Sequence, residues 1–487
     1  MLVDTARSSL TLVAPFLVTP EGIAAAAARF ACATVAGRNG DIPVWQPARV
    51  DTDEWLPHIA RGLAPDAPDA VRVGYAWEVT PAFAEANAGL SAKVPFEFVL
   101  GDARPVPLGL DAVQLILFRN GTGFVVLRWK VESESPADWL DVQHYARFAD
   151  GRGRVLRKTR RTGKDQTERY FPDPFGGLAA TADGRDRLAR GEGTCGDLVR
   201  VALAGAGLGD GGIPVADVYL PGRLLPYNVL FLREADAPPA PDLPREAVLQ
   251  KLRGMYHAAQ PYLPSAAQAV GPPHFQAYLR DQWFFASLEG GGFVAVDAPP
   301  GDFFRHELPR HLAGPYFHLF VLALQQRFAL VALSAEVSAQ WSSNPGRSEP
   351  GLWAEFGRIR DRLFDFTARY YFAQVAQREN HHRCYRMWWE RFGTAELYAE
   401  VCAEVRELSE YLQDRERHGR DRRVGRLTLL LTVLIGAPSL AIGFWNINVV
   451  GHTSAEGLQL KDAIGYVALT AGMIGSVFAL VWAAARR

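Results

Sequence analysis

Two uncharged, apolar stretches lie near the end of the 487-residue chain. The first covers 24 residues from Leu427 to Val450, and the second covers 23 residues from Ala463 to Ala485. At about 1.5 Å per helical residue, each is long enough to cross a bilayer core of roughly 30 Å. Only 12 residues connect them, so the pattern predicts an antiparallel two-helix transmembrane hairpin over 427–487. The alternative is a buried hairpin of a soluble domain, but such helices seldom exceed roughly 20 uncharged residues.

Basic residues set the expected orientation of this hairpin. Six arginines lie between residues 415 and 426, and Arg486 and Arg487 follow the second stretch, whereas the connector carries only Lys461. Basic residues favour the cytosolic side of a membrane. We therefore expect a multi-pass protein of the cell (inner) membrane with both termini in the cytosol.

Small and polar side chains recur along one face of the first stretch. They are Thr428, Thr432, Gly436, Ser439, Gly443 and Asn446. Their spacing of three or four residues is the helical period, and in lipid such a face must meet another helix or water. Two interpretations stay open. The face packs against the second stretch, where Ala468, Gly472 and Ser476 form a small-residue surface, or it lines a pore built from several copies.

The end of the first stretch resembles the signature of the CorA family of magnesium transporters. That family ends in two transmembrane helices and carries Gly-Met-Asn at the outer end of the first. Here the sequence Gly443-Phe444-Trp445-Asn446-Ile447-Asn448 aligns the signature Asn with Asn448, and Asn446 and Ile447 replace the glycine and methionine. Further similarities lie at Leu427-Thr428, Thr432 and Pro438.

The resemblance implies a homopentameric channel or transporter for divalent metal cations, whose cytosolic domains form a gating funnel. Oxygen atoms near Asn446 and Asn448 would hold a largely hydrated cation at the outer mouth. The residues lining the pore below would be Thr428, Thr432, Ser439 and Gly443. Magnesium is favoured, and the altered signature leaves zinc, cobalt and nickel open. Two rival functions stay open: a ligand-gated membrane effector whose cytosolic domain senses a signal, and a membrane-anchored binding protein that conducts nothing.

Upstream of the hairpin the pattern predicts an α+β cytosolic domain over 1–310 and a long helical stalk over 311–426, a CorA-like layout. Stalk helices are expected over 316–341 and 352–392, and a third begins at Thr394 as N-cap and continues into the first span. Predicted strands of the α+β domain are Val71–Trp77, Phe96–Leu100, Val113–Phe118, Phe124–Val131, Asn228–Arg233, Trp283–Leu288 and Phe293–Val296. Predicted helices are Glu21–Val35, Ala137–Phe148 and Arg245–Ala258. Hairpins are expected around Asn120-Gly121 and around 290–292.

Composition narrows the functional classes. The 52 Lys and Arg residues balance 53 Asp and Glu residues, which excludes a strongly basic nucleic-acid binder. Four cysteines lie too far apart for a zinc knuckle or a redox motif. Because no acid/base or nucleophile constellation is recognisable, we expect no enzyme, no catalytic residue and no resident cofactor. The expected partners are further copies of the chain and the lipid bilayer.

Three local patterns suggest ligand sites, and each has a simpler interpretation. Residues 191–196 match a dinucleotide-binding glycine pattern, but a polar segment rather than an apolar strand precedes them. Glu379, His381, His382 and Cys384 resemble a metal site, yet their spacing favours a solvated or inter-helix patch. The run 152–161 is rich in arginine and is interpreted as an exposed loop.

Overall fold

The structure, a computed structural model, describes most of residues 1–414. The described residues are 1–37, 40–52, 54–86, 96–101, 103–148, 151–159, 169–170, 187–188, 192–209, 212–234, 243–261, 275–342, 349–414, and the single positions 424, 425, 428, 468, 472 and 475. Contacts group Met1–Arg347 with Gly357–Cys402 as one unit, called the body below, and Ser348–Phe356 with Ala403–Arg487 as a second. The domain boundaries predicted at 310 and 426 stay predictions.

Fourteen of the described strands form one sheet, and β3 and β4 form a separate pair. The strands are β1 (Leu2–Val3), β2 (Ser9–Val18), β3 (Thr34–Gly37), β4 (Gly40–Pro43), β5 (Trp45–Pro47), β6 (Gly74–Val79), β7 (Phe96–Leu100), β8 (Val106–Phe118), β9 (Thr122–Val131), β10 (Gly153–Thr159), β11 (Arg169–Tyr170), β12 (Val215–Ala216), β13 (Leu225–Arg233), β14 (Phe275–Leu279), β15 (Gln282–Ser287) and β16 (Gly290–Val296). The main path has the order β11-β10-β7-β8-β9-β2-β13-β16-β15-β14. Four further strands pair outside this path: β1 pairs with β13, β12 pairs with β2, β6 pairs with β8, and β5 pairs with β6. Among the described pairs only β13 and β16 run parallel.

The helices follow the same numbering in chain order. They are α1 (Pro20–Cys32), α2 (Pro57–Leu63), α3 (Pro81–Ala86), α4 (Pro136–Tyr145), α5 (Cys195–Gly205), α6 (Arg245–Arg253), α7 (Leu308–Ala313), α8 (Pro315–Ser342), α9 (Glu349–Arg369), α10 (Glu379–Arg391) and α11 (394–414). A π-helical turn, Phe303–Glu307, leads into α7.

Both faces of the sheet are covered, as strand β9 shows. Its Trp129 ring lies 5.3 Å from that of Phe96, in the core that also contains residues of α4, α5 and α6. On the opposite face, the Phe124 ring lies 6.3 Å from that of Phe328 in α8. The run from Phe124 to Leu127 is completely buried, which explains its continuous apolar sequence. The body therefore has three layers, with the sheet between two helical layers.

Helix α8 is the longest of the described helices. The helical run Phe303–Ala339 is long and apolar enough to cross a membrane, and it alone has this property among the described residues. Yet 78% of its most apolar window is buried inside the protein. Its Phe317 and Phe320 rings lie 5.4 and 5.3 Å from Tyr227 of β13. Because a helix that is apolar all round needs partners on every side, this packing accounts for its composition without a bilayer.

Several predicted elements are confirmed. The predicted helix over 316–341 is α8, and the predicted hairpin at Asn120-Gly121 joins β8 to β9. The hairpin predicted around 290–292 is confirmed as β15–β16, with its turn at 288–289, just before the three glycines, which lie in strand β16. At Gly292, φ is +148° and an added Cβ would lie 1.9 Å from the Asn228 carbonyl oxygen, so the parallel β13–β16 pairing requires glycine there.

The predicted helix over 352–392 is wrong in its middle, because the segment 370–378 between α9 and α10 is largely non-helical. This segment bonds to distant parts of the chain. The Leu56 N–H donates to the Val375 carbonyl at 2.7 Å, and the buried Tyr370 hydroxyl donates to the Val73 carbonyl at 3.1 Å. The Val375 carbonyl thus pairs with a distant N–H instead of a helical one, the Tyr370 side chain bonds to a second distant segment, and helical periodicity in the sequence does not report either contact.

The start of α11 also differs from the prediction. Gly393 has φ of +63°, closes α10, and its carbonyl accepts the Leu397 N–H at 2.9 Å. Gly393 is therefore the N-cap. Thr394, the predicted N-cap, lies buried in the first turn.

Candidate functional site: an arginine-lined cavity

The predicted pore residues fall almost entirely outside the described residues. This applies to Thr432, Ser439, Gly443, Asn446 and Asn448. Thr428 is exposed and helical, and its hydroxyl donates a hydrogen bond to the Val424 carbonyl at 2.9 Å. This bond to the preceding turn satisfies the hydroxyl locally, as is common for threonine in helices. The pore assignment stays a prediction.

The glycine-rich pattern at 191–196 leads into helix α5. Thr194 is the N-cap, and its N–H donates to the Asp197 carboxylate at 2.9 Å, while the Asp197 N–H donates to the Thr194 hydroxyl at 3.3 Å. This reciprocal capping box places a carboxylate where a pyrophosphate would have to bind. The dinucleotide interpretation is therefore not supported by the local geometry.

The possible metal cluster in α10 is divided between two surroundings. His381 stacks on Tyr316 of α8 at 4.4 Å, and burial lowers its pKa to about 4. Cys384 is buried, which raises the pKa of its thiol, whereas Glu379 is exposed and pairs with Arg383 at 3.9 Å. No group of three His, Cys, Asp or Glu residues that could hold a metal occurs in the described part of the chain. The inter-helix interpretation fits His381 and Cys384.

The arginine-rich run from 152 is a strand over most of its described length. Gly153–Thr159 forms β10, which pairs with β7, so the expected loop is wrong for these residues.

A cavity of about 330 Å³ lies beside strand β2. On one edge β2 pairs with β13 through residues 9–13 and with β12 through residues 17–18. Between these two pairings, residues 14–16 of β2 have no partner strand on this edge among the described residues. Pro15 is suited to this gap because it has no N–H that a neighbouring strand would have to accept. Residues of β2, α5, β12 and the loop before β13 line the space. They are Ala14, Pro15, Phe16, Gly196, Val199, Arg200, Leu203, Val215, Ala216, Asp217, Tyr219, Leu220, Pro221, Gly222, Arg223 and Leu224.

Arg200 enters the cavity from α5 and is held at its base by Asp197. The Asp197 carboxylate is completely buried and lies 2.8 Å from Arg200 and 2.6 Å from Arg187. Two guanidinium groups thus share one carboxylate. The charge of this group is net positive, and the buried carboxylate orients Arg200.

Arg223 enters from the loop before β13. Its guanidinium lies 4.3 Å from the centre of the Phe148 ring, and that of Arg147 lies 4.9 Å from the same ring. Arg147 pairs with Glu289, whereas no described carboxylate lies within ion-pair distance of Arg223. Stacking on the ring fixes the guanidinium plane and leaves its N–H edge for a ligand.

Tyr219 extends this basic region toward α8. Its ring lies 5.5 Å from that of Phe328, and the Arg327 guanidinium lies 5.8 Å from its centre. Burial raises the pKa of Tyr219, and the positive charge of Arg327 opposes that rise. Tyr219 therefore presents a neutral hydroxyl at physiological pH.

Positive charge predominates around the cavity. Its charged lining residues are Arg200, Arg223 and Asp217, and Arg147, Arg187 and Arg327 lie behind the wall together with Asp197 and Glu289. Asp217 is exposed, so its charge is well screened by water. Counted over the wall and these residues behind it, five arginines oppose three carboxylates, and this positive excess beside a half-enclosed space with apolar walls is suited to binding an anion.

Sequence reasoning missed this site because its lining residues come from three separate segments, 14–16, 196–203 and 215–224, and the arginines behind the wall from others. The arginines lie near residues 147, 187–200, 223 and 327, and no motif connects them. The one local signal is Pro15 inside an otherwise apolar run, which marks an interrupted strand edge.

Comparison with known proteins adds no further identification, since the chain matches no protein-family model, no curated protein and no solved structure.

Proposed function

We propose that this protein is a CorA-like channel or transporter for divalent metal cations, oligomeric in the membrane, with a large cytosolic body. One observation carries the proposal: two uncharged stretches of 24 and 23 residues, joined by 12 residues and flanked by arginines. The degenerate signature ending at Asn448 supports the choice of cation transport among two-span membrane proteins.

In this proposal conduction is passive or driven by the membrane potential. Thr428, Thr432, Ser439 and Gly443 line the pore, and oxygens near Asn446 and Asn448 hold a largely hydrated cation at its outer mouth. Magnesium is the favoured cation because Mg²⁺ sheds its water reluctantly, and amide oxygens interact with it through that water.

In this proposal the body supplies the controlling element. Helix α11 is described to residue 414, and the sequence after it continues through the arginine cluster at 415–426 into the first apolar stretch. A ligand that changes the body would therefore act on a segment joined directly to the proposed pore.

A second candidate function is favoured by the arginine-lined cavity. A cytosolic domain with a half-enclosed, positively charged cavity suits a ligand-gated membrane effector, in which an anionic signal opens the hairpin. The two candidates share the membrane hairpin and differ in whether flux requires the ligand.

Uptake by liposomes tests the proposal. Full-length protein is reconstituted with a cation-sensitive dye inside the vesicles, and Mg²⁺, Zn²⁺, Co²⁺ and Ni²⁺ are added in turn at an inside-negative potential. We expect uptake of at least one cation above that of protein-free vesicles, and a detergent-solubilised particle of several 53.6 kDa chains, five by resemblance. Absence of uptake for all four cations, with or without candidate ligands, would leave the membrane-anchored binding protein as the surviving interpretation. A stable monomer would contradict the pore.

A further inference from the structure

We propose that the arginine-lined cavity binds a small organic phosphate, and that a mononucleotide is the class of ligand that fits it best. The inference names the ligand of the second candidate function above. Its binding assay uses no flux measurement, so failure of binding and failure of conduction are separate results.

The two arginines that line the cavity favour a phosphate group as ligand. Arg200 and Arg223 line the same space from two different elements, α5 and the loop before β13. Planar guanidinium groups bind phosphate oxygens through pairs of parallel hydrogen bonds. Arg200 is oriented by Asp197 and Arg223 by the Phe148 ring, so both are already fixed before a ligand arrives. Little side-chain freedom is then lost on binding.

The volume of the cavity and its apolar walls indicate a ligand larger than inorganic phosphate. A cavity of about 330 Å³ falls at the lower end of the range for small-molecule sites, roughly 300–1,000 Å³. Much of its wall is apolar, from Val199, Leu203 and Val215. The ligand should therefore carry a phosphate at one end and a compact, partly apolar group at the other.

Tyr219 favours a planar ring in the apolar group of the ligand. Its side chain is half-buried at the cavity wall and keeps its hydroxyl proton. A tyrosine ring offers a flat face for stacking and a hydrogen-bond group at its tip. A nucleobase, which is planar and carries hydrogen-bonding edges, matches both.

The test is direct binding to full-length protein in detergent, measured by isothermal titration calorimetry. The probes are AMP, GMP, ribose 5-phosphate, inorganic phosphate and adenosine, which lacks the phosphate. We expect saturable binding of at least one mononucleotide, weaker binding of ribose 5-phosphate and inorganic phosphate, and none of adenosine.

Substitutions locate the binding. Arg223→Gln and Arg200→Gln should each weaken mononucleotide binding by roughly tenfold or more, because each removes a charge-assisted contact. The matched control is Arg280→Gln, at a side chain that is 98% exposed and does not line the cavity, and it should bind as the wild type does. Arg223→Gln should melt within about 2 °C of the wild type, since its arginine is partly exposed, whereas Arg200→Gln should lose more stability because it leaves the buried Asp197 carboxylate with Arg187 alone of these two partners.

Three results would overturn the proposal. They are absence of saturable binding for every phosphate compound, equal binding of adenosine and AMP, and undiminished binding in both folded cavity variants.

Discussion

Asp197 is the residue on which the geometry of the cavity depends most. Its carboxylate accepts the Thr194 N–H at 2.9 Å and the Thr194 hydroxyl at 3.2 Å, and it pairs with Arg187 and Arg200. Asp197→Ala removes the capping carboxylate and both ion pairs in one change. Asp197→Asn keeps an oxygen acceptor for the cap and removes only the charge.

The size of the effect follows from burial. Removing one partner of a buried ion pair destabilises by roughly 3–5 kcal/mol, and losing a helix cap costs about 1 kcal/mol. Here the carboxylate is fully buried, but the Arg187 and Arg200 side chains are 35% and 37% exposed and can regain water. We therefore expect Asp197→Ala to lower the free energy of unfolding by about 2–4 kcal/mol, and Asp197→Asn by about half as much.

Thermal unfolding followed by tryptophan fluorescence measures this effect. For a body of nearly 400 residues, 2–4 kcal/mol corresponds to a decrease in Tm of about 2–5 °C. Asp217→Ala is the control, because Asp217 lines the same cavity but is exposed, and its Tm should change by less than about 1 °C. The reasoning is refuted if Asp197→Ala melts with the wild type, or if Asp217→Ala loses as much stability as Asp197→Ala does.

Three further predictions concern the body and the proposed membrane hairpin. Burial lowers the pKa of His318 to about 3 and that of His381 to about 4, below the ordinary 6.5, so the unfolded chain binds protons that the folded chain excludes. The free energy of unfolding therefore keeps its full value above pH 6.5 and falls as the pH drops toward 4, by about 1.4 kcal/mol per pH unit for each histidine. A variant with phenylalanine at both positions should show a flatter profile of Tm against pH between pH 7 and 5. Gly292→Ala should reduce the yield of folded protein severely because its Cβ would overlap the backbone of β13, whereas Gly40→Ala, at φ of +123° with nothing within 4 Å, should be tolerated far better in the same expression and melting assay. A protease-cleavable tag inserted at Glu456 should be cut from outside intact cells and tags at either terminus should not, and a cytosolic Glu456 would contradict the hairpin orientation.

Local patterns predicted most elements of the sheet. Phe96–Leu100 was predicted with its observed bounds as β7, and the predicted strand at 124–131 is β9 within two residues. Both are buried apolar runs bounded by turn residues, where the local signal and the tertiary environment agree. Strand β2 was missed because Pro15 interrupts its pattern, although the gap that accommodates the proline also forms the cavity.

The remaining differences come from long-range contacts. The sequence predicts a helix through 370–378, yet there the Val375 carbonyl accepts the Leu56 N–H instead of a helical one. The arginine-lined cavity unites segments up to 210 residues apart, from Ala14 to Leu224, which the sheet topology brings together. Such contacts leave no signature in local spacing.

The central claim, cation passage through a pore whose outer mouth carries Asn448, is tested most directly by comparing two variants in liposomes. Asn448→Ala removes the signature amide and leaves the arginine cluster and both apolar stretches intact, while Asn446→Gly restores one residue of the CorA signature. Divalent-cation uptake should fall sharply or lose ion discrimination in Asn448→Ala and persist in Asn446→Gly, with both variants keeping the oligomer size of the wild type. Wild-type uptake and selectivity in Asn448→Ala would contradict the assignment.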